Sequence, residues 1–146
     1  MRLREAKVHD IAALAKLHGE AFDIAWGPKV LEEFVGTDIV LVAGDPIHGF
    51  IIVRQVLNEA EIITLAVAST ARHDGIGTML LTAGCAKAAE LGVIRIILEV
   101  GVDNFAARGL YQKAGFREVG TRKGYYTHQD GTQIDALIMS HTLNCN

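Results

Sequence analysis

Between Asp38 and Ala68 three runs rich in Ile, Val and Phe follow one another with only turns between them, and after Ala68 the apolar period changes. That change of period constrains the fold more than any other feature of the chain. The runs Asp38 to Ala43, Gly49 to Leu57 and Ala60 to Ala68 are separated by Gly44-Asp45-Pro46 and by Asn58-Glu59. Both separators are turn chemistry, so the segment predicts three strands in a meander. From Thr78 to Leu91 the positions Met79, Leu80, Ala83 and Leu91 fit a helix, and Gly92 stands where a helix closes. Val93 to Val100 then reads as a strand buried on both faces.

The flanks complete an alternating pattern. Arg2 to Val8 fits a first strand, and Asp10 is placed to cap a helix from Ile11 to Ala21, where Ile11, Leu14, Leu17 and Ala21 share a face. A short helix from Lys29 to Val35 has Pro28 in its first turn. Asn104 to Ala114 is helical and ends at Gly115, after which strands Phe116 to Arg122 and Ile134 to His141 bracket a polar loop holding Tyr125-Tyr126. The order βααβββαβαββ in 146 residues, half of them hydrophobic, predicts one α/β domain spanning 1–146.

Charge excludes some partners. With 14 basic and 17 acidic residues interspersed, the net charge of −3 gives no bulk attraction for nucleic acid or a membrane surface. The apolar runs are a few residues long, against about 20 for a bilayer span. Cys85 and Cys145 have no metal or redox spacing, and no secretory leader is visible, which predicts a cytoplasmic protein. No His-Glu-x-x-His or paired-cysteine pattern occurs, so no metal is expected.

One turn stands out chemically. "ARHDGIGTMLL", residues 71 to 81, puts Gly75 and Gly77 at a helix start, where each costs about 1 kcal/mol relative to alanine. A strand, a short polar loop and a glycine-bearing helix start expose unpaired backbone N–H groups to an anion at the positive end of the helix dipole. A phosphate loop of the Gly-Lys-Ser/Thr kind is missing, and a dinucleotide fingerprint would need glycine where Leu80 stands.

Arg72-x-x-Gly75-x-Gly77 resembles the pyrophosphate loop of the GNAT (GCN5-related) N-acetyltransferases. The resemblance covers nearly the whole chain. It implies a mixed central sheet of about seven strands with about four helices, splayed between the fourth and fifth strands. It also implies that Arg72, His73, Asp74, Gly75, Gly77 and Thr78 bind the pyrophosphate of acetyl-CoA, Asp74 through its backbone alone. The strand "EIITLAV" matches the one whose main chain pairs with pantetheine, at Leu65 and Val67.

Further along, Leu98-Glu99-Val100, Asn104, Ala107, Leu110-Tyr111 and Gly115-Phe116 match the later motif of the family. With "TRKGYY" and "DALIMS" they are most similar to the RimI-like branch, the N-terminal alanine acetyltransferases of ribosomal proteins. The resemblance implies direct acetyl transfer in a ternary complex, with Glu99 as base, Tyr111 as acid and Asn104 as a coenzyme contact. An α-amino group titrates at about 7.7–8.0, so a weak base suffices. Burial on an apolar strand would raise the Glu99 carboxyl towards that task. The alternative is a strand-end glutamate that faces solvent or pairs with an arginine such as Arg95 or Arg117, and the resemblance to other branches of the family makes Glu61 and Glu59 reserve base candidates. Tyr111 would equally serve as a core residue, and Asn104 as a helix cap.

The aromatic pair Tyr125 and Tyr126, with Trp26, is expected to meet the acceptor peptide, the N-terminus of a small-subunit ribosomal protein. Two departures from the branch bear on peptide selection: Gly124 replaces a polar residue before the tyrosines, and "FDIAWGPK" at 22 to 29 replaces a Pro-Trp-Ser turn while keeping Trp26. A monomer or weak homodimer is expected. The competing readings are a GNAT enzyme for a small amine or a lysine side chain, and a non-catalytic coenzyme-A-binding protein.

Overall fold

A computed structural model describes residues 2–22, 26–72, 74–127 and 130–143, with only the backbone of Tyr126. The strands are β1 (Leu3–Glu5), β2 (Ile39–Ala43), β3 (Gly49–Val56), β4 (Glu59–Val67), β5 (Arg95–Gly101), β6 (Arg117–Thr127) and β7 (Gln133–Thr142). The helices are α1 (Ile11–Ala21), α2 (Pro28–Phe34), α3 (Ile76–Glu90) and α4 (Phe105–Lys113). The strands form one sheet in the order β1-β2-β3-β4-β5-β7-β6. Every pairing is antiparallel except β4 with β5, the two strands joined through α3. The expected mixed sheet is therefore present.

The sheet is covered unequally. On one face Leu41, Ile51, Val53, Ile62, Ile96 and Leu98 pack with Leu80 and Leu81 of α3 and Tyr111 of α4. On the other, Val42, Phe50, Ile52 and Ala66 pack with Leu14 and Leu17 of α1 and Leu31 and Phe34 of α2. Because this second cluster draws only on β2, β3 and β4, the same face of β5 is left half-open. Val93 to Val100 was expected to be buried on both faces. Instead Ile96, Leu98 and Val100 are buried while Ile97 and Glu99 are only half-buried, because neither α1 nor α2 extends over them.

Local chemistry moves several boundaries. The first strand stops at Glu5 instead of Val8, and the chain turns into a 3-10 turn at Val8–Asp10. Asp10 lies in the helical region and caps nothing in α1. Its carboxylate accepts the Lys7 N–H at 2.8 Å and takes both Arg4 guanidinium nitrogens, at 2.8 and 2.9 Å, so it closes the turn before the helix. Helix α3 starts at Ile76, two residues earlier than the apolar pattern indicates, which puts Gly77 and Thr78 inside its first turn. Tyr125-Tyr126 lies within β6, not in a loop. That strand continues to Thr127 past a bulge, where Gly124 has φ 61° and donates its N–H to Asp135 at 2.8 Å.

Candidate active site

The parallel pairing of β4 with β5 is short. It runs from Glu59 opposite Arg95 to Ile62 opposite Leu98 and stops, while both strands continue. Beyond Ile62 the β5-facing edge of β4 has no strand partner among the described residues. The Ala68 N–H donates to His48 O at 2.7 Å, towards β3, so the period of two aims the main-chain groups of Leu65 and Val67 away from β3 and into the gap. These are the expected pantetheine contacts, and their main chains face an open edge. Arg72 Nε donates to the Val67 carbonyl at 3.3 Å across its mouth.

The glycine turn opens onto the same gap. After Val67 the chain makes a 3-10 turn at Ser69–Ala71, passes Arg72 and Asp74, both exposed, and enters α3 through Gly75. His73, also expected to bind pyrophosphate, lies outside the described residues. Gly75 has φ 78°, a left-handed conformation that disfavours any side chain, and no side chain caps the helix it starts. The first turn carries no acidic residue, so the N–H groups of Ile76, Gly77 and Thr78 keep their positive end uncompensated. A Cβ at Gly77 would meet Leu110 Cδ2 at 3.3 Å, so this glycine also lets α4 approach α3. An anion such as a pyrophosphate fits this N-terminus through its backbone donors: the first turn holds no acidic residue, no side chain caps it, and among the described residues nothing lies within 4 Å of the Cβ position of Gly75, although the exposed Asp74 side chain must turn away.

On the half-open face the carboxylates gather. Glu99 is the first β5 residue past the last β4 pair, and Arg122 Nη1 of β6 contacts its two oxygens at 3.0 and 3.2 Å. Its partner is thus neither Arg95 nor Arg117. Arg95 pairs with Glu59 at 3.6 Å and donates to Ser140 at 3.0 Å. The bland alternative of an arginine-paired Glu99 holds, with 22% of its side chain exposed. Glu61 occupies the same face one strand over. Burial, followed by the Glu99 charge, pushes its carboxyl above its ordinary value against the opposing pull of Arg54 and Arg122. Arg54 pairs with Asp38 at 3.1 Å and lies 4.9 Å from the centroid of the Phe34 ring.

Tyr111 stands on the other side of the sheet. It is 7% exposed within the α3–α4 cluster, with its ring edge-on to Phe116 at 5.7 Å. The core role foreseen for it is real, and it puts the ring on the face of the sheet opposite Glu99. Asn104 caps α4, its Oδ1 accepting the Ala107 N–H at 3.2 Å. The half-buried Trp26 lies just before α2, stacked on Phe34 at 5.7 Å. Tyr125 is 47% exposed, and the Arg122 guanidinium sits 4.4 Å from its ring centroid. The Tyr126 side chain lies outside the described residues. Gly124 is explained by the bulge: a Cβ there would press on Gln133 Oε1 at 3.1 Å.

Arg122 and Arg54 were not singled out from the sequence. Arg122 stands beside the tyrosine pair in "TRKGYY", and only the register of β6 on β7 brings it to Glu99. Among the described residues no group of three or more His, Cys, Asp or Glu could hold a metal ion, and no helix is long and apolar enough to cross a membrane.

A model of the acetyltransferase (GNAT) family matches residues 11–116. The [ribosomal protein bS18]-alanine N-acetyltransferase of Haemophilus influenzae is 33% identical over 134 residues, which cover 90% of this chain and 91% of that one. Among solved structures, the ribosomal-protein-S18-alanine N-acetyltransferase of Escherichia coli superimposes with a TM-score of 0.91 at 27% identity, covering 99% of this chain and 95% of that one. Arabidopsis thaliana NAA60 in complex with acetyl-CoA gives a TM-score of 0.90 at 22% identity and 98% coverage of both chains.

Proposed function

Given that the chain belongs to the acetyltransferase (GNAT) family, we propose that it moves the acetyl group of acetyl-CoA onto the N-terminal α-amino group of a protein, an N-terminal alanine of a small-subunit ribosomal protein. The observation that carries the reading is the β4–β5 gap, with a carboxylate on one face of the sheet and a phenol on the other. A thioester threaded from the α3–α4 side meets an amine arriving from the α1–α2 side, in a ternary complex.

Acetyl-CoA supplies an activated thioester, and this chain supplies the rest. The α3 N-terminus at Gly75, Gly77 and Thr78, the Asp74 backbone and Arg72 hold pyrophosphate, with His73 beside them in sequence. Leu65 and Val67 offer main-chain hydrogen bonds to pantetheine, the Val67 carbonyl already accepting one from Arg72 and keeping a second lone pair for the ligand. Asn104 lies at the start of α4, where its side chain is already committed to the cap. Glu99 takes the proton of the amine, directly or through water, as the nitrogen bonds to the acetyl carbon and the C–S bond breaks. Tyr111 returns a proton to the departing sulfur. Trp26 and Tyr125 line the acceptor side, with Tyr126 next to them in sequence as a further acceptor contact, and the proton acceptor is tuned by Arg122. The protein works in the cytoplasm, where ribosomal proteins are made, as a monomer or weak homodimer.

The test is incubation with acetyl-CoA and short peptides that differ in their first residue, with the added mass located by fragmentation. Acetylation of the α-amine of alanine-starting peptides is expected. Acetyl groups confined to lysine side chains, or absent from every peptide, would sink the proposal.

A further inference from the structure

His18, on the last turns of α1, is 3% exposed. Its ring stacks on Phe22 and on Trp26, with both centroid separations 4.4 Å and interplanar angles of 28° and 14°. Its Nδ1 accepts the backbone N–H of Trp26 at 3.1 Å. Only an imidazole unprotonated at that nitrogen can accept this bond, and burial favours the neutral form.

What this nitrogen holds is a bridge to the carboxylate face. Trp26 stacks on Phe34, Arg54 lies over Phe34, and Arg54 bears on Glu61. The indole is half-buried and packs against the α1–α2 cluster, on the sheet face that also carries Glu61 and Glu99. No hydrogen bond within α2 fixes Trp26, since that helix begins at Pro28. Among the described residues, the stack and the hydrogen bond to His18 fix it.

We infer that His18 is a positioning residue for acceptor binding: its imidazole locks Trp26 as a rigid wall against which the first side chain of the acceptor peptide packs. This rests on the proposed peptide acceptor. A small apolar first residue suits such a wall, because the flat indole offers area without needing to reorganise. The bond has no bearing on the α3 N-terminus, which lies on the opposite face of the sheet.

The experiment compares wild type with His18→Phe, which keeps a stacking ring but removes the acceptor, and with His18→Asn, which keeps an acceptor oxygen. For an alanine-starting peptide, KM is expected to rise about tenfold in His18→Phe with kcat within about twofold, a loss of uniform binding. His18→Asn should recover part of that loss. The acetyl-CoA dissociation constant should not move in either variant. Trp26 is the only tryptophan of the chain, so its emission reports on the stack directly. In His18→Phe the emission should shift towards that of a solvated indole before peptide is added.

An unchanged peptide KM and emission in both variants would overturn the role of His18 while leaving the acetyltransferase reading intact. So would a parallel loss of acetyl-CoA affinity, which marks general loosening. Absence of any α-amine acetylation by the wild type would remove the acceptor reading itself, and a His18→Phe chain that fails to fold passes the test to His18→Asn.

Discussion

At the scale of single residues the site is a contest over one proton. Glu61 is pushed up by burial and by Glu99, and it is held down by Arg54 and Arg122, while Arg122 also occupies both oxygens of Glu99. Replacing Arg122 with methionine keeps the apolar stem and removes the cation. The Glu99 charge then acts on Glu61 with one opposing cation fewer, so the Glu61 carboxyl rises further. The acid limb of the pH–rate profile should move to higher pH, with kcat/KM at pH 7 lower by about tenfold, or about 1.4 kcal/mol. An unchanged profile would show that neither carboxylate is the base. Tyr111→Phe tests the other proton. The ring keeps its edge contact with Phe116, and kcat should fall by about a hundredfold or more with acetyl-CoA affinity retained. Full turnover in that variant removes Tyr111 as the acid.

At the scale of elements, the α3 N-terminus separates two uses of glycine that the sequence alone runs together. Gly75 is needed for its backbone, at φ 78°, and has open space around it. Gly77 is in ordinary helix and is needed for its neighbour Leu110. Gly75→Ala should therefore lower stability by about 1–2 kcal/mol, and Gly75→Asn by less, because asparagine tolerates the left-handed region. Gly77→Ala gains about 1 kcal/mol of helix propensity and spends much of it on the Leu110 contact, so its net effect should be small. Urea titration measures each, and the acetyl-CoA dissociation constant of Gly77→Ala shows how closely the coenzyme approaches that backbone. A valine at Gly75 would confound the two effects, since a β-branched residue at positive φ is strained with or without ligand.

The elements that were legible share a property. The meander, α3, β5 and α4 announce themselves by a local period and by glycine or asparagine at their ends, information carried within a dozen residues. Their failures are non-local. Asp10 looks like a helix cap until Arg4 claims it, and Gly124 looks like a loop glycine until β7 supplies Asp135 and Gln133 opposite it. Likewise Glu99 lies on a legible strand, but its Arg122 partner is set by the order β5-β7-β6, which no short window encodes. The residue types of the site were readable; their pairings required the sheet.

At the scale of the molecule, the α1–α2 layer also sets acid stability. That layer packs on the sheet through an apolar cluster and carries two buried titratable groups, His18 on α1 and Asp10, which ties the turn before α1 to Arg4 of β1. The neutral His18 is favoured by burial, its value lowered from 6.5 to about 4. Between those values the unfolded chain binds the proton and the folded one does not, so stability is complete above pH 6.5 and declines as pH falls towards 4, by at most about 3 kcal/mol. Asp10 is lowered from 3.8 to about 2, chiefly by the Arg4 hydrogen bond. A depressed carboxyl contributes fully above its unfolded value, so its share persists down to about pH 4 and is lost as pH falls towards 2. That share is at most about 2 kcal/mol, because Arg4 is partly exposed and water screens the pair. The two windows are adjacent and do not overlap. Urea midpoints followed from pH 7 to pH 3 should fall continuously in the wild type. In His18→Phe they should be flatter between pH 6.5 and 4, whereas Arg4→Met should lose stability at pH 7 and leave that upper slope unchanged. A slope between pH 6.5 and 4 that survives in His18→Phe would mean that another group carries the acid sensitivity of the α1–α2 layer.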